Sequence, residues 1–397
     1  MEVKITRLNH NGEGIGTINN KIIFVPKTIP GDIVDVQITK EHKNYIEALP
    51  KSYKEKSPSR TTIPCPYYQQ CGGCQLMGLT YQDQLAYKQN KVIDILKKYA
   101  NITITPSITG TEEYYYRNKI TLQVQNGKLG LYTSNTNEIV PISKCLLIDF
   151  KLNKLIEIIN NNLNLENITK IILRASSNEL MAIFEGKINK SILQKTIAPH
   201  VTSLYLNEEH IHGNTTITAE LEKYKFLVSP KSFFQVNYNQ TVNLYNKVKE
   251  YLSINNHNIL DLYCGTGTIG IYVSKNCHKV TGIELNPSSI KDAIKNATLN
   301  HISNINFIEG SVGQVLEAKN TYDAIIVDPP RNGLDKKTKV TLLKLKSKKL
   351  IYISCDPITL ARDLKELKEI YDIKDLALFD MFPNTYHIES IAFLTLK

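Results

Sequence analysis

The chain has 397 residues, 42 % of them hydrophobic, and a formal net charge of +10 at pH 7. That length predicts two or three domains, and the apolar content excludes wholesale disorder. No apolar run approaches about eighteen residues and the opening MEVKITRLNHNGEG lacks an apolar signal segment, so a cytoplasmic, non-spanning protein is expected, its charge suited to a polyanion or simply to solubility.

Residues 1–50 read as short strands broken by turns: KITRL, the turn-rich NHNGEGIG, IIFVP, KTIPGD, IVDVQI and YIEALP. This spacing predicts a small β-barrel. KSYKEKSPSR then has the basic, Ser/Pro-containing character of a linker. Cys65, Cys71 and Cys74 crowd into CPYYQQCGGC, with Cys145 further on. Seven cysteines with no export signal argue against a disulfide scaffold and leave metal ligation or catalysis. YQDQLAYKQNKVIDILKKYA has helical apolar spacing. Across 110–232, KITLQVQN, KLGLY and IILRA read as strands and DFKLNKLIEIINNNL as a helix, which predicts an α+β domain. YYYRNK (114–119) interleaves tyrosines with Arg117 and Lys119, a pattern that suits stacking on unpaired bases and equally suits core tyrosines beside surface charge. No Lys/Arg-rich amphipathic helix argues for a membrane partner.

From about residue 235 the pattern becomes βα repetition. NILDLYC, KVTGIEL, INFIEG, YDAIIVD, KKLIYIS, LALFDMF and SIAFLTL are the strands, with helices such as PSSIKDAIKNATLNH and PITLARDLKELKEI between them. A mainly parallel sheet covered on both faces is expected. DLYCGTGTIG ends one strand and opens a helix. Gly265, Gly267 and Gly270 allow a sharp turn and close ligand approach, and Glu284 ends the next strand, where a carboxylate can hold ribose hydroxyls. A plain turn and a dinucleotide site are the alternatives. DPPRNG places Asp328 at a strand end, and Arg331 stands where amino-methyltransferases carry an aromatic residue. YISCDPITLARD ends its strand on Cys355, just before a helix whose amides could favour a thiolate. The loop with its acid resembles the S-adenosylmethionine site of Rossmann-like methyltransferases, and beside such a loop a thiolate has a purpose: addition at C6 of uracil makes C5 nucleophilic, and a base must then remove the C5 proton. NTYHIESIAFL supplies His387 and Glu389 as candidates for that base.

Together these motifs resemble the RNA uracil-5-methyltransferases of the RumA/TrmA type, nearly end to end. The resemblance implies S-adenosylmethionine as donor, with Gln235 of SPKSFFQVN, Tyr263, Glu284 and Asp328 at donor-binding positions, Cys355 as nucleophile and Glu389 as base. Thr268 replaces an Asn that relatives can carry, and Ser311 stands where many methyltransferases have an acid. The N-terminal strands resemble a TRAM domain. Cys65, Cys71, Cys74 and Cys145 resemble the iron–sulfur site of the ribosomal RNA branch, and the C-x5-C-x2-C spacing with one distant ligand favours a [4Fe–4S] cluster over zinc.

The expected architecture is therefore multi-domain: a TRAM/OB-like β-barrel (1–55), a central α+β RNA-binding domain with the cluster (56–76 and 109–232), and a Rossmann-like α/β catalytic domain (77–108 and 233–397). The expected partner is RNA, with 23S ribosomal RNA preferred because the tRNA branch is expected to lack both the barrel and the cluster. The rivals are the same chemistry on tRNA, a non-catalytic RNA-binding iron–sulfur protein, and methylation of cytosine or an exocyclic amine.

Overall fold

Alternation of apolar and polar residues builds the N-terminal unit. Strands β1 (Glu2–Lys4), β2 (Arg7–Leu8), β3 (Gly14–Ile18), β4 (Lys21–Val25), β5 (Ile33–Glu41) and β6 (Tyr45–Glu55) form one six-stranded sheet in the order β1-β5-β6-β4-β3-β2. Every second residue, among them Val3, Ile23, Val25, Val34, Val36 and Ile46, points into a shared core. The supposed linker is partly strand, because Tyr53 and Glu55 of β6 pair with Val34 and Ile33. Its Lys and Glu side chains lie on the wet face, so composition conceals ladder bonds that the backbone alone makes. The same stretch ends on Arg60, whose guanidinium binds the fully buried Asp32 of the barrel. This computed structural model describes residues 1–397 except 135, 254–256 and 316–320.

Helix α1 (Tyr81–Ala100) is N-capped by Thr80 and ends on Asn101 in the left-handed region. Its stripe Val92, Ile95, Leu96 and Ala100 joins the core of the C-terminal sheet rather than that of the adjacent central unit. Strand β7 (Ser107–Thr109) pairs into that same sheet. The central unit follows as β8 (Lys119–Gln125), β9 (Lys128–Tyr132), β10 (Ile139–Pro141), α2 (Phe150–Asn162), β11 (Ile168–Ala175), β12 (Leu180–Gly186), α3 (Lys190–Thr196), β13 (Ser203–Leu206) and β14 (Glu209–Gly213). Its seven strands run in the order β10-β9-β8-β11-β12-β13-β14, and α2 lays Leu152, Leu155, Ile156 and Ile159 into their core. A separate hairpin, β15 (Ile217–Leu221) and β16 (Tyr224–Val228), is wedged between units. Ile217, Ala219 and Val228 meet Met181, Ile183 and Tyr205, while Leu221, Tyr224 and Phe226 enter the C-terminal core.

The C-terminal unit comprises α4 (Tyr238–Leu252), β17 (Asn258–Leu262), α5 (Thr268–Ser274), β18 (Lys279–Glu284), α6 (Pro287–Leu299), β19 (Ile305–Glu309), α7 (Val312–Val315), β20 (Ala324–Val327), α8 (Lys336–Leu345), β21 (Lys349–Ser354), α9 (Pro357–Leu367), β22 (Tyr371–Phe379) and β23 (Glu389–Leu396). With β7 the sheet has eight strands, ordered β19-β18-β17-β20-β21-β23-β22-β7. The strands from β19 to β21 are parallel and β23 runs antiparallel to both neighbours. Ile259, Leu260, Ile325, Ile326, Leu350 and Ile351 are all buried, as strands covered on both faces require. The chain leaves β17 toward β18 on one side and returns through β20 on the other. That reversal opens a crevice at the strand C-termini, the place where such sheets bind ligands. Among the described residues no helix is long and apolar enough to cross a membrane.

Candidate active site

The crevice begins with the loop after β17. Tyr263, Gly265 and Gly267 all have positive φ, at 62°, 54° and 78°. The glycines serve different ends. A Cβ on Gly265 would meet nothing within 4 Å, so this amide borders open space, whereas one on Gly267 would lie 2.7 Å from Phe307 and one on Gly270 3.0 Å from Asp261. Glu284 closes the loop from β18, accepting from the Gly265 N–H at 3.1 Å and the Asn286 N–H at 2.8 Å. Tyr263 packs against the core of the sheet, its hydroxyl 3.4 Å from Asp335 and 3.3 Å from Thr338 at the start of α8. The Thr268 hydroxyl is held 2.8 Å from that of Tyr245.

Asp261 escaped notice in the sequence, although it stands in an apolar strand. It is fully buried on β17, accepts from the Gly270 N–H at 3.0 Å, and its other oxygen, Oδ1, has no partner among the described residues. Burial, and then the nearby Asp328 carboxylate, push its pKa up to about 8. Asp328, just past β20, is pushed up to about 7 by burial. Gln235 lies on the strap that enters this domain from the central unit, and Asn118 Nδ2 holds its carbonyl at 3.0 Å.

Strand register assembles the rest. Ser354 of β21 pairs with Ser390 of β23, so Cys355, the next residue on one strand, comes level with Glu389 on the other. The two belong to one charge cluster. Burial raises the Cys355 thiol to about 12, helped by Glu389 and Asp328 and opposed by Arg331. Burial also holds the Glu389 carboxyl well above the usual range, with Asp328 raising it and Arg331 lowering it. The helix after Cys355 was expected to favour the thiolate, and it does not. Asp356 caps α9 and takes the Ile358 and Thr359 N–H groups at 2.8 and 2.9 Å, so its own carboxylate absorbs those donors. His387 sits against Tyr386, centroids 4.2 Å apart, and burial and the cations around it lower its pKa to about 4.

The N-terminal cysteines gather elsewhere, between barrel and central unit. Cys65, Cys74 and Cys145 pack beside the buried Tyr68, Met77 and Leu147. Burial raises Cys74 well above a normal thiol, and the Cys145, Cys71 and Cys65 sulfurs reinforce it. Gly73 N–H points at Cys71 Sγ from 3.4 Å, and Asn153 clasps the backbone of Cys145 at 2.8 and 3.0 Å. Among the described residues no group of three or more His, Cys, Asp or Glu is arranged to hold a metal ion. Lys27 of the barrel, which the sequence did not single out, donates to the Cys71 and Cys74 carbonyls from a left-handed backbone, φ 63°.

Residues 173–397 match the family model of tRNA (uracil-5-)-methyltransferases, and residues 1–50 match the TRAM domain. The chain belongs to the tRNA (uracil-5-)-methyltransferase family. This methyltransferase is 33 % identical to an uncharacterized RNA methyltransferase of Bacillus anthracis, over 100 % of this chain and 96 % of that protein. It is 35 % identical to one of Clostridium tetani, over 98 % and 95 %. A solved structure, the Pyrococcus abyssi tRNA (uracil-54, C5)-methyltransferase with S-adenosyl-L-homocysteine, matches with a TM-score of 0.82 at 27 % identity, over 100 % of both chains. S-adenosylmethionine is thus the methyl donor and RNA the substrate class. The residues fit that donor: Gly265 borders open space, Glu284 closes the loop, and Asp261 keeps an orphaned oxygen beneath it. One expectation is corrected by these matches. A structure named for tRNA covers the whole chain, barrel included, so the barrel by itself does not separate ribosomal from tRNA enzymes.

Proposed function

We propose that this methyltransferase acts at C5 of uridine through a covalent adduct of Cys355, with Glu389 as base and Gln235, Tyr263, Glu284 and Asp328 around the donor. The observation that carries the reading is the register of β21 and β23, which sets Cys355 level with Glu389 beside Asp328. Cys355 first gives up its proton to solvent; the thiolate Sγ then bonds to C6, and the C5=C6 electron pair moves to C5 and the C4 carbonyl. The donor, when bound, supplies an electrophilic methyl group for C5. Glu389, which must have lost its own proton by this stage, then takes the C5 proton, the double bond re-forms, and the thiolate leaves. The uracil must leave its base stack for the thiolate to reach C6.

For the substrate we favour 23S ribosomal RNA, on the cysteine set that resembles the ribosomal branch. We read Cys65, Cys71, Cys74 and Cys145 as ligands of a [4Fe–4S] cluster. Four thiols in mutual electrostatic reach, with N–H groups aimed at sulfur, suit a thiolate-ligated metal, and the C-x5-C-x2-C spacing with one distant fourth cysteine is the ground for iron–sulfur over zinc. On this reading residues 1–55 are a basic RNA-binding module, 56–76 and 109–232 the cluster domain, and 77–108 with 233–397 the catalytic domain. A second reading, uridine in tRNA, is favoured by the full-length match to the Pyrococcus abyssi enzyme. The test supplies unmodified 23S transcript and unmodified tRNA at matched salt, each also made with 5-fluorouracil. We expect methyl incorporation into 23S RNA, a denaturant-stable adduct with its fluorinated form, and neither with Cys355→Ala. A tRNA preference refutes the substrate, and turnover by Cys355→Ala refutes the chemistry.

A further inference from the structure

The three tyrosines of YYYRNK do three different things. Tyr116 is turned inward and donates to the Pro383 carbonyl at 3.0 Å, and Tyr114 packs beside the N-terminal cysteines. Tyr115 alone turns out. Its backbone has φ 57°, a conformation that a bulky residue rarely adopts, and its N–H is pinned to the Leu146 carbonyl at 2.8 Å. That twist lays its ring on Phe150, the first residue of α2, with centroids 3.8 Å apart and planes 20° from parallel. Tyr115 stays 37 % exposed and Phe150 59 % exposed. A stacked aromatic pair left facing water forgoes burial that either ring would gain in a core.

The pair walls a cavity of about 670 Å³ that also takes in Phe234 and Asn237, on the same strap as Gln235. We propose that this cavity is a second RNA subsite, which receives an unpaired base of the substrate on the Tyr115–Phe150 platform while the target uridine lies in the crevice. This rests on the RNA-methylating reading above and extends it to a base other than the one modified.

The remaining lining says which part of a nucleotide belongs there. Glu112, Asp149, Glu220 and Glu222 border the cavity; Glu112 accepts from Thr111 and Asn239 and Asp149 from the Lys151 N–H, while the Lys151 ammonium, 3.8 Å from Asp149, donates to the Ser176 and Ser177 carbonyls, each at 2.7 Å. Carboxylates repel a phosphate but accept from an exocyclic amino group. The site therefore takes the base and leaves the backbone outside, and it favours adenine or cytosine over uracil. A cationic peptide would also suit aromatics beside carboxylates. The chain's net charge of +10 disfavours it, and the strap leads to a site that handles RNA.

The experiment measures equilibrium binding of oligoadenylate, oligocytidylate and oligouridylate of equal length, with no chemistry required. Tyr115→Gly removes the ring at a position whose positive φ glycine adopts without steric strain, and Phe150→Ala, which leaves that backbone unchanged, is the second variant. We expect Tyr115→Gly and Phe150→Ala each to weaken oligoadenylate binding by roughly 5- to 100-fold. Tyr115→Phe should retain it, oligouridylate should bind the parent most weakly, and S-adenosylmethionine affinity should not change. Oligoadenylate affinity unchanged in both variants would overturn the proposal. So would Tyr115→Gly-sensitive binding of an oligoarginine peptide with RNA affinity intact. Failure of uridine methylation would strike the catalytic reading and leave this binding result standing.

Discussion

Cys355 holds its proton in the free protein, because burial and the carboxylates of Glu389 and Asp328 raise it to about 12 against one cation, Arg331. The sign of each influence gives a pH test. An ordinary thiol reaches its alkylation plateau just above its pKa of about 8.5. Cys355, followed by mass spectrometry, should still gain about tenfold per pH unit between pH 9 and 11. Arg331→Met removes the lowering charge, so alkylation at any pH in that window should slow further. A plateau near pH 9 in the parent, or faster reaction in Arg331→Met, would remove Arg331 and the carboxylates as the controlling charges. Glu389 makes the complementary test. Glu389→Gln should transfer methyl to C5 and then stall, leaving a protein–RNA adduct on gels with ordinary uridine. Unchanged turnover, or no methyl transfer at all, would take the base role from it.

Elements bring these residues together through contacts that sequence period does not encode. Helix α1 is the clearest case. Its apolar stripe is visible in the sequence, yet it packs against α9, more than two hundred residues downstream, and a buried ion pair locks it there. Lys88 Nζ lies 2.5 Å from Asp380 Oδ1, both side chains fully buried, and donates also to the Phe382 carbonyl at 3.1 Å. Lys88→Met strands a buried carboxylate, and denaturant titration should record a loss of about 3–5 kcal/mol. Lys88→Met with Asp380→Asn should recover much of that, because the residual charge is gone. A single variant within about 0.5 kcal/mol of the parent would mean that the pair contributes little to docking α1.

Across the whole molecule the barrel and the cysteine site are one construction. Lys27 leaves the barrel, crosses the Tyr68 ring at 4.4 Å and binds the cysteine loop, whose Gly72 N–H pairs with the Tyr132 carbonyl at 2.9 Å. The cysteines thus lie where barrel, loop and central sheet converge. On the cluster reading, anaerobically purified protein should be brown with about four iron and four sulfide per chain. Cys145→Ser should lose both and loosen the central domain while leaving donor affinity intact. Stoichiometric zinc without sulfide would overturn the assignment.

Much of this was legible in the residues. Short apolar runs broken by turn residues marked the barrel strands, the spacing of Val92, Ile95 and Leu96 marked α1, and DLYCGTG followed by IEL marked the donor loop. These are local patterns of turn chemistry, motif and helical period, set by backbone geometry, so a single stretch of sequence carries them. Partnership between distant segments is another matter. That Cys355 comes level with Glu389, that Asp356 absorbs the helix donors the thiol was expected to use, that hairpin 217–228 bridges two units, and that Tyr115 rather than its neighbours turns outward were decided by the tertiary structure. Strand register, burial and the charges around a thiol depend on which surfaces meet when the chain closes on itself, and no local spacing records that.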